Sequence, residues 1–256
     1  DEIVTIVKVD KATLFFDDEK QLNLFNLKGN TFGVPFVFEL TTRNDSVINR
    51  KSNFHVKSLN LNIANEFIQE HNNSKYGNNI VSFINASIKT KYNVKDKLMT
   101  FASDNSKLSG SKIDYSGELL LNPFNLDLNI NMGNYKISKL FNFNSILKEF
   151  VKSKLLFNEN LSLDLSILAR TDTMSEIFNK AEININIVNS KINLDNSKFI
   201  NNKIGLLELN NSNLFVENNK LILNADILIV IKDSKHLFSF LNTNKESRKD
   251  IKNIFI

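Results

Sequence analysis

The stretch Leu126-Asp127-Leu128-Asn129-Ile130-Asn131-Met132 puts an apolar side chain at every second position, with Asp or Asn between. Successive side chains of a strand point to opposite sides, so this segment reads as a strand with one greasy face and one wet face. The same alternation returns in Leu161-Ser162-Leu163-Asp164-Leu165-Ser166-Ile167 and in Ala181-Glu182-Ile183-Asn184-Ile185-Asn186-Ile187. It also runs through Leu221, Leu223, Ala225, Ile227, Ile229 and Ile231, and through Phe32, Val34, Phe36, Phe38 and Leu40. Pro35, which lacks an N–H, suits an edge or bulge position in the last of these.

Weaker strands fill most of the remainder. They are expected over Ile3 to Val9, Ala12 to Phe16, Leu22 to Leu27, Phe54 to Ile63 with a phase slip near Lys57-Ser58, Ile80 to Ile88, Leu98 to Ala102, Lys112 to Leu121, Lys191 to Leu194, and Ile204 to Val216 broken by a turn. Short polar connections such as Asp17-Asp18-Glu19-Lys20 favour antiparallel neighbours, because a parallel crossover needs a dozen residues or more. Only two segments carry helical spacing: Ser138 to Val151, with Leu140, Phe143 and Leu147 on one side, and Ser234 to Lys252, with Leu237, Phe238 and Leu241. The expected fold is therefore mainly β, a long curled antiparallel sheet with one or two short helices. It forms one elongated module over residues 1–256, with a sub-boundary near 134–157.

Two helices cannot cover about twelve strands, which would extend roughly 55–60 Å in one layer. The apolar face must be covered by the sheet folding back, by a second sheet, by lipid or by a partner, since soluble monomers rarely leave such a patch bare. A trough for acyl chains and a closed sandwich with a dry core both satisfy that requirement. The residues that would line the trough are Phe32, Val34, Phe36, Phe38, Leu126, Leu128, Ile130, Leu161, Leu163, Leu165, Ile183, Ile185, Leu223, Ile227 and Ile229.

Composition excludes several classes across the 256 residues. There is no cysteine, so there is no disulfide framework, thiolate metal site or thiol nucleophile. The longest unbroken apolar run, Ile227 to Ile231, is far short of the ~20 residues of a spanning helix. His55, His71 and His236 are scattered with no second ligand at metal spacing, and neither a glycine-rich phosphate loop nor a GxSxG elbow occurs. No enzyme chemistry and no cofactor are expected. The net charge of +4 comes mostly from lysines spread through every strand, which is not the clustered, aromatic-interleaved pattern of a nucleic-acid surface. Lys245, Arg248, Lys249 and Lys252 form a basic cluster that could face anionic headgroups or simply solvent. The 42 asparagines reflect in part an AT-rich codon usage. The chain starts with Asp1 and ends on Asn253-Ile254-Phe255-Ile256, an apparent strand beginning, and reads as a piece of a longer chain.

The block Ser116-Gly117-Glu118-Leu119-Leu120-Leu121-Asn122-Pro123-Phe124-Asn125-Leu126 to Ile130, followed by the expected helix and Phe157 to Leu163, resembles AsmA-like proteins of Gram-negative bacteria. There a strand pair of the form G-x-L-x-L-x-P-F precedes a short helix and a further strand. Gly205 to Leu209, Asn224 to Asp226 and Phe238 to Ile251 are similar to the closing strands and basic helix of that family. The resemblance implies a β-taco or groove-type sheet in a periplasm-facing protein attached to the inner membrane through an anchor that this chain lacks. It also implies phospholipid transport or outer-membrane homeostasis, with phospholipid or another acyl-chain lipid and the rest of the parent chain as partners. The motifs concerned are structural. A structural or adhesive β-sandwich or β-solenoid without lipid is the alternative, although turn intervals are irregular for a solenoid. An outer-membrane barrel is disfavoured by the absence of Trp and of aromatic girdles.

Overall fold

The structure is a computed structural model describing residues 7–31, 34–44, 47–70, 75–83, 85–141, 157, 161–172, 176–217, 220–249 and 251–256. It is mainly β, with eighteen strands belonging to one mixed sheet and a single short α-helix among the described residues. The chain divides into two compact units, residues 1–116 and 117–256.

In the first unit the strands are β1 (Val7–Asp17), β2 (Leu22–Thr31), β3 (Val34–Asn44), β4 (Ile48–Val56), β5 (Leu61–Gln69), β6 (Lys75–Phe83), β7 (Ala86–Lys95), β8 (Leu98–Ser103) and β9 (Ser106–Leu108). Consecutive strands from β1 to β8 pair antiparallel, as the short polar connections require. The expected strand Phe54 to Ile63 is in fact a hairpin. The phase slip marks a 3-10 turn at Lys57–Leu59 closed by Asn60 at φ 48°, which returns Leu61 opposite Val56. Ile80 to Ile88 is likewise two strands, with Phe83 opposite Ala86. Pro35 faces Asn30 of β2, while the pairing of β3 with β4 begins at Val37, so its missing N–H removes no ladder bond on that side.

Strand β10 (Ser111–Leu121) contains the division between the units. The second unit continues with β11 (Phe124–Met132), β12 (Leu163–Arg170), β13 (Lys180–Val188), β14 (Lys191–Asn193), β15 (Ser197–Asn201), β16 (Gly205–Glu217), β17 (Lys220–Ile231), helix α1 (Ser234–Phe240) and β18 (Asn253–Phe255). Every pairing here is antiparallel except β11 with β12, which are parallel. The sheet is thus mostly antiparallel, and its parallel pair is joined by residues 133–162, a connection long enough for a crossover. Of the helix expected over Ser138 to Val151, the described part is a 3-10 turn at Ile137–Phe141, and residues 142–151 lie outside the described residues. The helix expected over Ser234 to Lys252 stops at Phe240. Its start is capped by the Asp233 carboxylate, which accepts from the backbone N–H groups of Lys235 and His236, and the chain leaves at Asn242 with φ 51°.

Ile204 to Val216 runs as one strand, interrupted by a bulge instead of the expected turn. Between Asn210 and Asn213, β16 carries one more residue than β17. The extra residue keeps Leu209 and Leu214 on one face, opposite Ile227 and Leu223. Asn211 takes the left-handed conformation at φ 48°, and buried Ser212 donates its N–H to Asp195 Oδ1 at 2.6 Å and its hydroxyl to the same oxygen at 2.7 Å. Ser212 N–H and hydroxyl and the Asn193 amide hold the Asp195 carboxyl below the usual carboxylate range. A group depressed on folding stabilises above its unfolded pKa and loses that contribution as pH falls through the folded value. Asp195→Asn should therefore lower thermal stability most at neutral pH, with the gap to the parent protein closing below about pH 4. A gap that does not change with pH in thermal melts would refute this.

Left-handed residues show where much of the asparagine goes. Among the described residues, seven of the eleven non-glycine positions at positive φ are Asn: 60, 105, 134, 189, 196, 211 and 242. With only seven glycines in the chain, Asn takes the turn and bulge positions, since its short side chain tolerates this conformation.

Candidate functional site

The strand registers decide which predicted lining residues share a face. In the second unit Leu126, Leu128 and Ile130 of β11 stand opposite Leu163, Leu165 and Ile167 of β12, which stand opposite Ile187, Ile185 and Ile183 of β13. The same face continues through Ile192 and Leu214 to Leu223, and through Phe199 and Leu207 to Ile229 and Ile254. Leu161 is half-buried and just precedes β12. On the strands from β11 to β18 no charged side chain occupies this face. Asp127, Asp164, Glu182, Lys198, Glu208 and Asp226 all alternate to the other one.

Burial along this face is uneven. One end is closed: Met132, Ala169, Ala181 and Phe199 form a cross-strand row that is nearly sealed, with both alanines at 0% exposure. Tyr135, Ile137, Ile231 and Phe238 are also buried, and burial raises the Tyr135 hydroxyl pKa. Ile187 and Ile192, in the row of Leu126 and Leu163, are buried as well, as is Leu209, but the other apolar positions are more open. Leu126, Leu128, Ile130, Leu163, Leu165, Ile183, Ile185, Ile227 and Ile229 are all only half-buried, whereas a sealed core would exclude water from them.

The first unit has its own apolar band. Leu27, Phe38, Phe54, Ile63, Val81 and Ile88 stand in one cross-strand row over six strands, all half-buried. Beside it Phe36, which is buried and stacked at 5.2 Å on Phe54, neighbours Val56 and Leu61, with Val34 at the strand's start. Phe32 lies outside the described residues. Among the described residues of this unit only Phe36, Val56 and Ile113 are buried apolar side chains, so the band has almost no core beneath it. The next row is polar: Ser52, Asn65, Asn79, Thr90 and Ser103 follow Leu40 across the sheet. Tyr92 donates to Asn65 Oδ1 at 2.9 Å while its ring crosses Gly77, where a Cβ would meet the tyrosine ring and the Glu66 carbonyl.

The opposite face of this unit bears the charge. Lys51 pairs with Glu66 at 3.1 Å, and Asn49 donates to the same carboxylate at 3.1 Å, which holds Glu66 below the usual range. A recess there is lined by Glu39, Thr41, Lys51, Asn53 and Asn78 together with Ala64 and Ile80. A second recess beside α1 contains Asp172, Glu176, Asn179, Lys203 and His236. His236 Nδ1 lies 2.8 Å from Asp233, His55 sits opposite Asn62 on the polar face, and His71 is outside the described residues. No three metal-ligating side chains cluster among the described residues, and none of their helices is long and apolar enough to cross a membrane.

No family model, curated protein or solved structure matches this chain. The likeness to AsmA-like proteins stands on its sequence motifs alone. Alternation shows which residues share a face within one strand but not the polar row and the cations on the first unit's face, because hairpins at Asn60 and Phe83 hide their register in the linear sequence.

Proposed function

We propose that the protein is a non-enzymatic lipid-binding or lipid-transport module whose apolar faces hold acyl chains. The observation that carries this reading is the uncharged, half-exposed face of the second unit, from Leu126 to Ile229. Each methylene removed from water there contributes about 0.8 kcal/mol, so one chain of ordinary length has ample driving force without any polar contact. A face built for a dry core would be sealed along its length; here the Met132 to Phe199 row and the residues Ile187, Ile192 and Leu209 are sealed, while Leu126, Leu128, Ile130, Leu163 and Leu165 are only half-buried. The AsmA-like motifs support a role in the cell envelope, in a protein facing the periplasm, attached to the inner membrane and acting in outer-membrane biogenesis. Its partners are phospholipid and the remainder of the parent chain, not nucleic acid.

Native mass spectrometry of the purified chain tests the reading. Bound species with phospholipid masses, released by organic extraction, are expected. Lipid-free protein, which takes up none from phospholipid vesicles, would instead favour a structural or adhesive β-protein.

A further inference from the structure

On the lipid reading, the second unit offers nothing to a headgroup, since its face is uncharged. The first unit does. Across β2 to β8, the only charged side chains on the face that carries the Phe54 row are Arg50 and Lys75, both cations. Lys28, Glu39, Arg43, Lys51, Glu66, Lys89, Lys91 and Lys95 alternate to the other face. Arg50 stands opposite Phe67, which stands opposite Gly77, and Lys75 is two residues from Gly77 on the same side of β6. From strand spacing and rise, their Cα atoms are roughly 12 Å apart, within joint reach of two long side chains. Neither cation meets a carboxylate among the described residues, whereas Lys51 on the other face is paired with Glu66.

Along the strands, apolar rows through Phe36 and Phe54 come first, then the hydroxyl and amide row from Ser52 to Ser103. Beyond it Arg50 shares a row with Thr42, Phe67, Gly77, Tyr92 and Phe101, and Lys75 shares one with Ile48, Gln69, Val94 and Met99, so both cations of the face lie across the polar row from the Phe54 row. A phospholipid with its tails on the Phe54 row and its ester region on the polar row would bring its phosphate to those cations. We infer that the first unit binds a phospholipid of net negative headgroup, with the acyl chains on the Phe54 row and the phosphate between Arg50 and Lys75. The inference rests on the lipid reading above and adds to it a headgroup class and a polarity. A zwitterionic lipid would place its own cation among these two, with no carboxylate on the face to receive it.

The test uses the full chain equilibrated with vesicles of equimolar phosphatidylglycerol and phosphatidylcholine, followed by native mass spectrometry of bound lipid. Phosphatidylglycerol should be enriched roughly fivefold or more over its vesicle share. The double variant Arg50→Gln, Lys75→Gln should still carry lipid but at the vesicle ratio, while Lys51→Gln, on the opposite face, should keep the enrichment. Circular dichroism checks that all three remain folded. Lipid bound at the vesicle ratio by the parent protein, or enrichment surviving the double substitution, overturns the headgroup assignment and leaves the lipid reading standing. Lipid bound by none of them overturns both.

Discussion

Leu128→Lys is expected to lose the lipid held on the second unit's face, lowering occupancy, while leaving the protein folded. Leu128 sits in the middle of the uncharged face, opposite Leu165 and one strand from Ile185, and is half-buried. A lysine there can reach water in the lipid-free protein because its stem lies along the face and its ammonium leaves the surface. With acyl chains in place that route closes. The cost of an ammonium among hydrocarbon is about 2.5–3.5 kcal/mol, or roughly a hundredfold in affinity. Asn129→Lys, one residue along and on the exposed opposite face, should change nothing. Lipid occupancy by native mass spectrometry and secondary structure by circular dichroism give the two readouts. Unchanged occupancy in Leu128→Lys would remove this face as the binding surface. Phe36 is a poor position for the same experiment: at 7% exposure, a charge there has no route to water and should unfold the first unit.

The alternation that predicted this face was legible because it depends only on side-chain period. Leu126 to Met132 and Ala181 to Ile187 lie within β11 and β13 with the expected side inward. The turns were harder to read. Chains usually announce hairpins with Gly or Pro, but here Asn60, Asn105, Asn196 and Asn211 take the left-handed positions, and they resemble the many Asn residues that merely fill the wet face of strands. This is why Phe54 to Ile63 read as one strand with a slip, and why the Asn210 bulge read as a break. The parallel pairing of β11 with β12 had no local signal at all, since alternation is the same in either direction. The charge-free second face and the lone cations Arg50 and Lys75 depend on register, which a period of two leaves undetermined.

A sequence device does emerge once the turns are known. Asp104-Asn105-Ser106, Asp195-Asn196-Ser197 and Asn210-Asn211-Ser212 each pair a left-handed Asn with a Ser that is almost wholly buried. The Ser106 hydroxyl accepts from Lys89 N–H at 2.8 Å and donates to Lys89 C=O at 2.9 Å. Ser197 does the same for Asn184, at 3.0 and 3.2 Å. In the third copy Ser212 accepts from Leu194 N–H at 2.6 Å and donates to Asp195. A hydroxyl thus stands in for a ladder partner where the left-handed residue has turned the backbone away.

Removing one should be expensive. Ser197→Ala leaves the Asn184 N–H and C=O without that partner at a site 1% exposed, at a cost of about 1–3 kcal/mol. Tm should fall by roughly 2–10 °C in a chain of this size. Ser166→Ala, which removes an exposed hydroxyl bonded to the Asn184 side chain, should stay within about 0.5 kcal/mol of the parent protein. The neighbouring position separates the backbone contribution from the hydroxyl's: Asn196→Gly should be nearly neutral, while Asn196→Ala should cost about 1–2 kcal/mol for the left-handed conformation. Thermal and urea unfolding of the four variants would decide the matter. Equal melts for Ser197→Ala and Ser166→Ala would mean that water, not the buried hydroxyl, satisfies the strand at Asn184, and the Asn-Ser pairs would then be incidental to the fold.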